Sequence, residues 1–416
     1  MIKPLKFFKQ LRPKTLGMAV CISGLSLGMF LDFFFKGSVK WSTLFMAMSI
    51  LLITEWKNIF SLNFPSFNVM LRWIFLFQMM MLFYGIMSDR MTSQFLFFHL
   101  YILSLCLALG SINTNYDIGE LPKYTFWMLI PSTIFATVVC AMGLMSSDKE
   151  AYLYRQSLGE NFILDSLSIS APVLYMLFSI MCVSGKTILW KLAKLSFAIM
   201  AIYVLLELNK RTPIFIFLVG IVCYLFVTRK LKIRLTPKGI RIILLVIVLL
   251  FVSYNYIEFV QEKVDYFAES FYNGVLGLLG IESASYSRSV EERLVIRDAA
   301  LNRLNNEYSI INYILGGGYF VAWLDSPLLQ SYMDLGIIGG ALFLTTVVVF
   351  PLYILGKRMN DRSVIVALLL SLYPMFSVFS SGHPYQPVKY VPICMLSFIY
   401  YHIRSQKRNE KTMHHI

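Results

Sequence analysis

The sequence predicts an all-α, polytopic membrane protein with about twelve transmembrane helices and one large outer loop. Three observations predict it. First, 57% of the 416 residues are hydrophobic and 14% charged, against about 25% charged in an average soluble domain. Second, the mean hydropathy is +0.66 and the chain holds 34 Phe. A soluble domain of this size cannot bury that much apolar surface, so the excess has to face lipid. Third, apolar runs near the roughly 20 residues that cross a bilayer as a helix recur along the whole chain. Helices are required because lipid offers no partner to a free peptide group.

The spans are expected, in order, at 14–35, 39–55, 70–87, 94–112, 124–145, 167–184, 188–208, 212–228, 239–260, 327–356, 362–381 and 388–403. Residues 1–260 thus hold nine spans, 261–326 one large outer loop, and 327–416 three more spans and a tail. The first run is too long for a cleavable signal peptide and lacks a small-residue cleavage site. It reads as a retained anchor.

The net charge is +14. In a soluble chain this would suggest nucleic acid; here it sets orientation. Lys3, Lys6, Lys9, Arg12 and Lys14 precede the first span. Lys186, Lys191 and Lys194 lie between spans six and seven. Arg229, Lys230, Lys232, Arg234, Lys238 and Arg241 lie between eight and nine. Lys357, Arg358 and Arg362 follow span ten, and Arg404, Lys407, Arg408 and Lys411 end the chain. With twelve spans these groups share the side of both termini, which the positive-inside rule makes cytoplasmic. No nucleic-acid partner is implied; the lipid bilayer is.

The six cysteines fall inside expected spans with no C-x-x-C pair, so neither a disulfide framework nor a zinc site is indicated. The five histidines show no metal-ligand spacing. His99 reads as a packed helix residue.

Four polar features fall at the outer boundary. Lys210-Arg211-Thr212-Pro213 is a tight outer turn carrying two cations where orientation disfavours them. Thr212 suits a helix cap and Pro213 a first helical position. Free N–H groups and the positive dipole end beside Arg211 make a phosphate site, unless the pair merely snorkels. The stretch 287–301 fits an amphipathic helix. Arg293 and Arg297, four apart, share a face and can grip a pyrophosphate bidentately. Pairing with Glu291, Glu292 and Asp298 on a solvated face is the plainer account. Gly316-Gly317-Gly318 allow a sharp bend back to the membrane, with Ser326 and Pro327 opening span ten. Asp325 then sits at a helix N-terminus, as a general base or hydroxyl-orienting group or as a dipole-complementing charge. Asp334, two turns deeper, is a functional candidate because a carboxylate within a span is costly; pairing with an Arg is its structural alternative. His383, in the Ser381-Gly382-His383-Pro384-Tyr385 turn, is the only histidine near the outer face. Tyrosines and Trp323 around the large loop fit an interfacial belt.

Together these segments resemble the superfamily of bacterial O-antigen polymerases and O-antigen ligases. Arg211 matches an Arg at the outer start of a late helix. Arg293-Leu294 to Ala299-Ala300-Leu301 matches a loop helix of the form R-L-x-x-W-x-A-A-L, with Arg297 replacing the aromatic. Ile314 to Gly318, Asp325 to Leu329 and Asp334-Leu335-Gly336-Ile337-Ile338-Gly339 follow the family's P-L-x-G-x-G and H-N-x-x-L…E-x-G-x-x-G. The topology match covers most of the chain; the motifs cover residue 211 and roughly 287–340. Asp325 stands where many members, ligases especially, have His. Arg293 follows Glu292 and not Ser or Gly, so Arg288, after Ser287, is a rival for the family Arg.

The resemblance implies a GT-C-like glycosyltransferase at the outer face of the bacterial inner membrane. Donor and acceptor would be glycans on undecaprenyl pyrophosphate, joined with inversion and without a metal or other cofactor. Arg211 and Arg293 would neutralise the leaving pyrophosphate, Asp325 would handle the acceptor proton, and Lys210, Arg288, Arg297, Asp334 and His383 would bind substrate. A chain-length regulator is a further candidate partner. The alternatives are the ligase branch, which transfers glycan to lipid A core, and a lipid-linked oligosaccharide flippase or transporter. A flippase should show a repeated half and charges along a central cavity, and neither is visible in the sequence. Asp32 is the lone acid near the first outer loop, against the acidic pairs of dolichol-type transferases.

Overall fold

The computed structural model describes residues 12–35, 40–144, 166–185, 187–208, 211–228, scattered positions from 254 to 272, 288–321, 324, 326–378 and 382–413. Among these the chain is helical throughout, with no strand. The helices are α1 (Pro13–Phe34), α2 (Trp41–Ile53), α3 (Trp56–Phe60), α4 (Val69–Ile86), α5 (Ser93–Ser111), α6 (Leu121–Leu144), α7 (Ser166–Cys182), α8 (Ile188–Glu207), α9 (Arg211–Val227), α10 (Arg288–Glu307), α11 (Ile310–Leu315), α12 (Pro327–Leu344), α13 (Phe350–Lys357), α14 (Arg362–Ser377) and α15 (Pro387–Met413). A π-helical turn at Thr345–Val349 joins α12 to α13.

Six of these segments are long and apolar enough to cross a membrane: α1, α4, α5, α6, α8 and the run Pro327–Lys357. Shorter apolar helices occupy Trp41–Ile53, Ile169–Cys182, Thr212–Val227 and Arg362–Ser377. Expected spans one to eight and ten to twelve therefore coincide with helices. Most of the ninth, and most of the loop at 261–287, lie outside the described residues.

α1 and α2 form an antiparallel hairpin. A side chain at Gly28 would collide with the backbone of Trp41 and Ser42, so only glycine permits this approach. Asp32, fully buried, closes the hairpin: its carboxylate accepts the N–H of Trp41 at 2.6 Å and the hydroxyl of Ser42 at 2.8 Å. A carboxylate at a helix N-terminus satisfies free N–H groups and complements the dipole. The lone acid near the first outer loop is thus a helix cap. α14 is buried from Ser363 to Met375 and packs against α15. α8 exposes Ile188, Leu189, Leu192, Leu195 and Ile199, the apolar outer face that a lipid-facing helix needs.

Helix ends fall into two sets. At one end Arg12 pairs with Asp117, and Lys14 pairs with Glu55. Arg362 donates to Ser184 at 2.6 Å, Ser363 to the Ile118 carbonyl at 3.1 Å, and Gln406 to the Tyr116 carbonyl at 3.1 Å. The Arg358 guanidinium covers the Phe226 ring at 4.1 Å. At the other end Tyr84 donates to the Leu315 carbonyl at 2.9 Å, and Leu328 N–H to the Val378 carbonyl at 3.2 Å. Phe215, one turn into α9, meets Phe376 at 5.4 Å, so Arg211 opens its helix at that second end. The chain leaves the first end after Val227 and returns at the second with Pro327.

Candidate functional site

The second end is built around a broken helix. Gly336 interrupts α12 with φ +63° and ψ −161°. Its N-terminal half starts beside Val378, at the end of α14, and finishes beside Leu315, which Tyr84 near the end of α4 holds. A Cβ on Gly336 would press into the Ile314 carbonyl, and one on Gly316 (φ +91°) into the Asp334 carbonyl. The two glycines let two backbones touch. Span ten was expected as one continuous helix; the break turns its first half, with Asp334, into part of the structure at this second end.

The glycine loop is bonded to that half-helix. Gly317 N–H donates to the Met333 carbonyl at 2.8 Å and Gly318 N–H to the Asp334 carbonyl at 3.2 Å. Tyr308 donates its hydroxyl to the Met333 carbonyl at 2.8 Å. Asp334 Oδ1 accepts the Val321 N–H at 2.9 Å. The side chain of Gln330, one turn earlier, is buried beside this carboxylate. Residues four apart share a helix face, so two polar side chains are held together where lone polar groups are costly. Burial, then the charge of Asp334, pushes the Tyr308 hydroxyl up to about 12, so it stays a donor.

An aromatic nest lies beside this joint. Tyr319 stacks on Tyr385 at 4.8 Å, and Phe95 meets the His383 ring at 5.1 Å and Phe320 at 5.3 Å. His99 is fully buried; its Nδ1 shares a hydrogen with Gln78 Oε1 at 2.7 Å and its Nε2 with the Tyr319 hydroxyl at 3.1 Å. It is a packed residue, as expected, and also the link from α5 to the glycine loop. His383 Nδ1 accepts the Tyr385 N–H at 3.3 Å. Burial, then the charges of Lys389 and His99, lowers His383 to about 3, so the ring is neutral. Lys389, 1% exposed, donates to Ser377 at 3.0 Å.

Two arginines converge on the same loop. Arg90 donates to the Phe320 carbonyl at 3.0 Å and the Val321 carbonyl at 3.4 Å. Arg303, on α10, donates to the Val321 carbonyl at 3.2 Å and pairs with Glu307 at 2.9 Å. α10 is positioned by Ala300 and Leu304, which pack with Leu324 and Met333.

Of the residues expected from the sequence, Asp334 and His383 come to this end of the bundle, and both are buried. Arg297 is exposed on α10 with Asp298 at 3.8 Å, the solvated arrangement weighed for it above. Arg211, Arg288 and Arg293 are placed by their backbones alone, Arg211 as the first residue of α9 and the other two on α10. Helix α9 therefore begins before Thr212, which lies inside the first turn and not ahead of it. Ser326 and Pro327 open α12 as expected, with no side-chain cap bond. Asp325 and Lys210 lie outside the described residues. Arg90, Arg303, Lys389 and Gln330 were not singled out. For the three cations a signal existed: each falls in or beside a segment expected on the outer side, where orientation disfavours cations, as at Arg211. Among the described residues no three His, Cys, Asp or Glu side chains gather as a metal site needs. The six cysteines are buried and form no disulfide.

No protein-family model matches the chain, and no curated protein matches it in sequence.

Proposed function

We propose that the protein is a polysaccharide polymerase, an inverting glycosyltransferase acting on glycans linked to undecaprenyl pyrophosphate. In this reading it crosses the bacterial inner membrane twelve times with both termini cytoplasmic, and residues 261–326 form a periplasmic loop. An acceptor hydroxyl attacks the donor's anomeric carbon and gives its proton to a base, for which Asp325 is the candidate. The bond to the pyrophosphate oxygen breaks and undecaprenyl pyrophosphate leaves with the electron pair. Cationic guanidiniums, Arg211 and Arg293 among them, supply its countercharge; metal independence is part of the resemblance. A chain-length regulator is a candidate partner. The single observation that carries the reading is that Gly316–Gly318 and Asp334–Gly336, the two glycine-bearing segments of the family resemblance, are docked on one another by backbone hydrogen bonds. The end they occupy is the one where α9 starts with Arg211.

A second reading is favoured by a different observation. Asp334, Lys389, His99 and His383 are buried within one end of an apolar bundle, and ionisable groups in such places often line a transport route. The test is deletion of the gene and inspection of surface lipopolysaccharide. A single repeat unit on core supports polymerase. Loss of all O-chain points to a ligase or a flippase. In the polymerase, Arg211→Ala abolishes polymer while protein level stays intact, and Asp325→Asn greatly reduces activity.

A further inference from the structure

At the end of the bundle that holds Arg12, Lys14 and Arg362, α13 and α15 bring two tyrosines and two cations together. The Tyr353 ring meets Tyr400 edge-on at 6.3 Å. The Lys357 ammonium lies over the Tyr353 ring at 4.8 Å, and the Arg404 guanidinium lies beside both tyrosines. A Lys carries three N–H donors and an Arg five, and neither can accept a hydrogen bond. Among the described residues neither cation has a carboxylate at ion-pair distance. Asp361, the acid nearest to Lys357 in sequence, is occupied in capping α14 through the Ser363 and Val364 N–H groups at 2.9 and 3.4 Å. The cluster is rich in donors and positive charge and short of acceptors.

It sits where an apolar face ends. The run Pro327–Lys357 is long and apolar enough to cross a membrane, and Lys357 is its last residue. Val349, Leu352 and Tyr353 are exposed and, three and four apart, share one helix face. Gly356 continues that face, and a Cβ there would meet nothing within 4 Å, so a notch opens beside Lys357. A snorkelling lysine reaches away from the bilayer into water; Lys357 lies back over Tyr353, one turn earlier in the span. A hydrocarbon chain matches the apolar face, and an acceptor-rich anion at its head matches the cationic end.

We propose that Lys357, Arg404 and the Tyr353 hydroxyl bind the phosphate of an anionic phospholipid whose acyl chain lies along Val349 and Leu352. The inference stands apart from the polymerase reading, since this end of the bundle is the one away from the glycine loop. Delipidated full-length protein in detergent is titrated with phosphatidylglycerol and read by native mass spectrometry. Lys357→Gln and Arg404→Gln each weaken the first phosphatidylglycerol bound by about fivefold, the scale of one cation beside a lipid surface; Lys357→Arg retains most of the binding. Tyr353→Phe weakens it by about threefold. Lys123→Gln, which removes one charge at the same end from a pair with Glu120 at 3.3 Å, leaves it within about twofold. Phosphatidylglycerol with a photoreactive acyl chain labels residues 349–353, and Arg404→Gln reduces that labelling. Parental affinity in both Gln variants overturns the proposal. So does equal binding of phosphatidylcholine, whose head carries no net charge. Equal competition by glycerol phosphate also overturns it, because the site would then take soluble phosphates and not a lipid. Should a Gln variant fail to fold, Tyr353→Phe and the labelled peptide decide: parental affinity with labelling elsewhere overturns the proposal.

Discussion

The Asp334 carboxylate accepts the Val321 backbone N–H at 2.9 Å and so ties the first half of a broken helix to the loop that Arg90 and Arg303 hold. Asp334 is fully buried, and a buried N–H left without an acceptor costs about 1–3 kcal/mol. Asp334→Asn keeps an oxygen at that place and should unfold within a few tenths of a kcal/mol of the parent protein. Asp334→Leu should lose about 1–3 kcal/mol. Thermal unfolding in detergent measures both; equal losses would show that the charge, not the acceptor, fastens the loop.

Gly336 should not tolerate a side chain. Its φ of +63° is strained for any L residue, and a Cβ there meets the Ile314 carbonyl. Gly336→Ala should cost about 2 kcal/mol or more. Gly356, in α13 with nothing within 4 Å of its Cβ position, is the control. Gly356→Ala should be neutral or stabilise by up to about 1 kcal/mol.

His383 gives the protein an acid dependence. Its pKa is lowered from 6.5 to about 3, first by burial, then by Lys389 and His99. The unfolded chain therefore takes up a proton below about pH 6.5 that the folded chain refuses. Stability is full above that value and falls as the pH drops from 6.5 toward 3, at no more than about 1.4 kcal/mol per unit. His383→Gln should flatten the fall in melting temperature between pH 6.5 and 4. An unchanged slope would assign it to other groups.

The two ion pairs at the basic end should differ in weight. Lys14 and Glu55 are 18% and 22% exposed, and Asn113 donates to Glu55 at 3.0 Å. Arg12 and Asp117 are 39% and 66% exposed, in the range where pairs contribute about 0–1 kcal/mol. Glu55→Ala should therefore destabilise more than Asp117→Ala, with the Asp117 effect shrinking at high salt.

Reporter fusions at residues 235 and 285 should report opposite sides of the membrane. The chain leaves one end of the bundle after Val227 and re-enters at the other with Pro327, as a crossing at 239–260 requires. Both reporters on one side would remove the twelve-span topology.

Much of the helix placement was legible in the sequence, because a lipid-crossing helix leaves a long apolar run and little else can. The run at 327–356 misled in one respect: its hydropathy is continuous, while Gly336 breaks it through a contact with Ile314 that no local pattern records. The end that holds the broken helix was legible in part. Asp334 stood out as a carboxylate in an apolar run, and His383 by its position.

The sequence by itself determined that this is a helical membrane protein whose cations cluster in particular loops, since composition and run length act locally along the chain. Only the tertiary structure decided that Arg90, some 200 residues before Arg303, shares a carbonyl with it, and that Gly316 meets Gly336. Those are long-range contacts, fixed by how helices pack once each has formed. Their partners lie too far apart in sequence for any periodicity to join them.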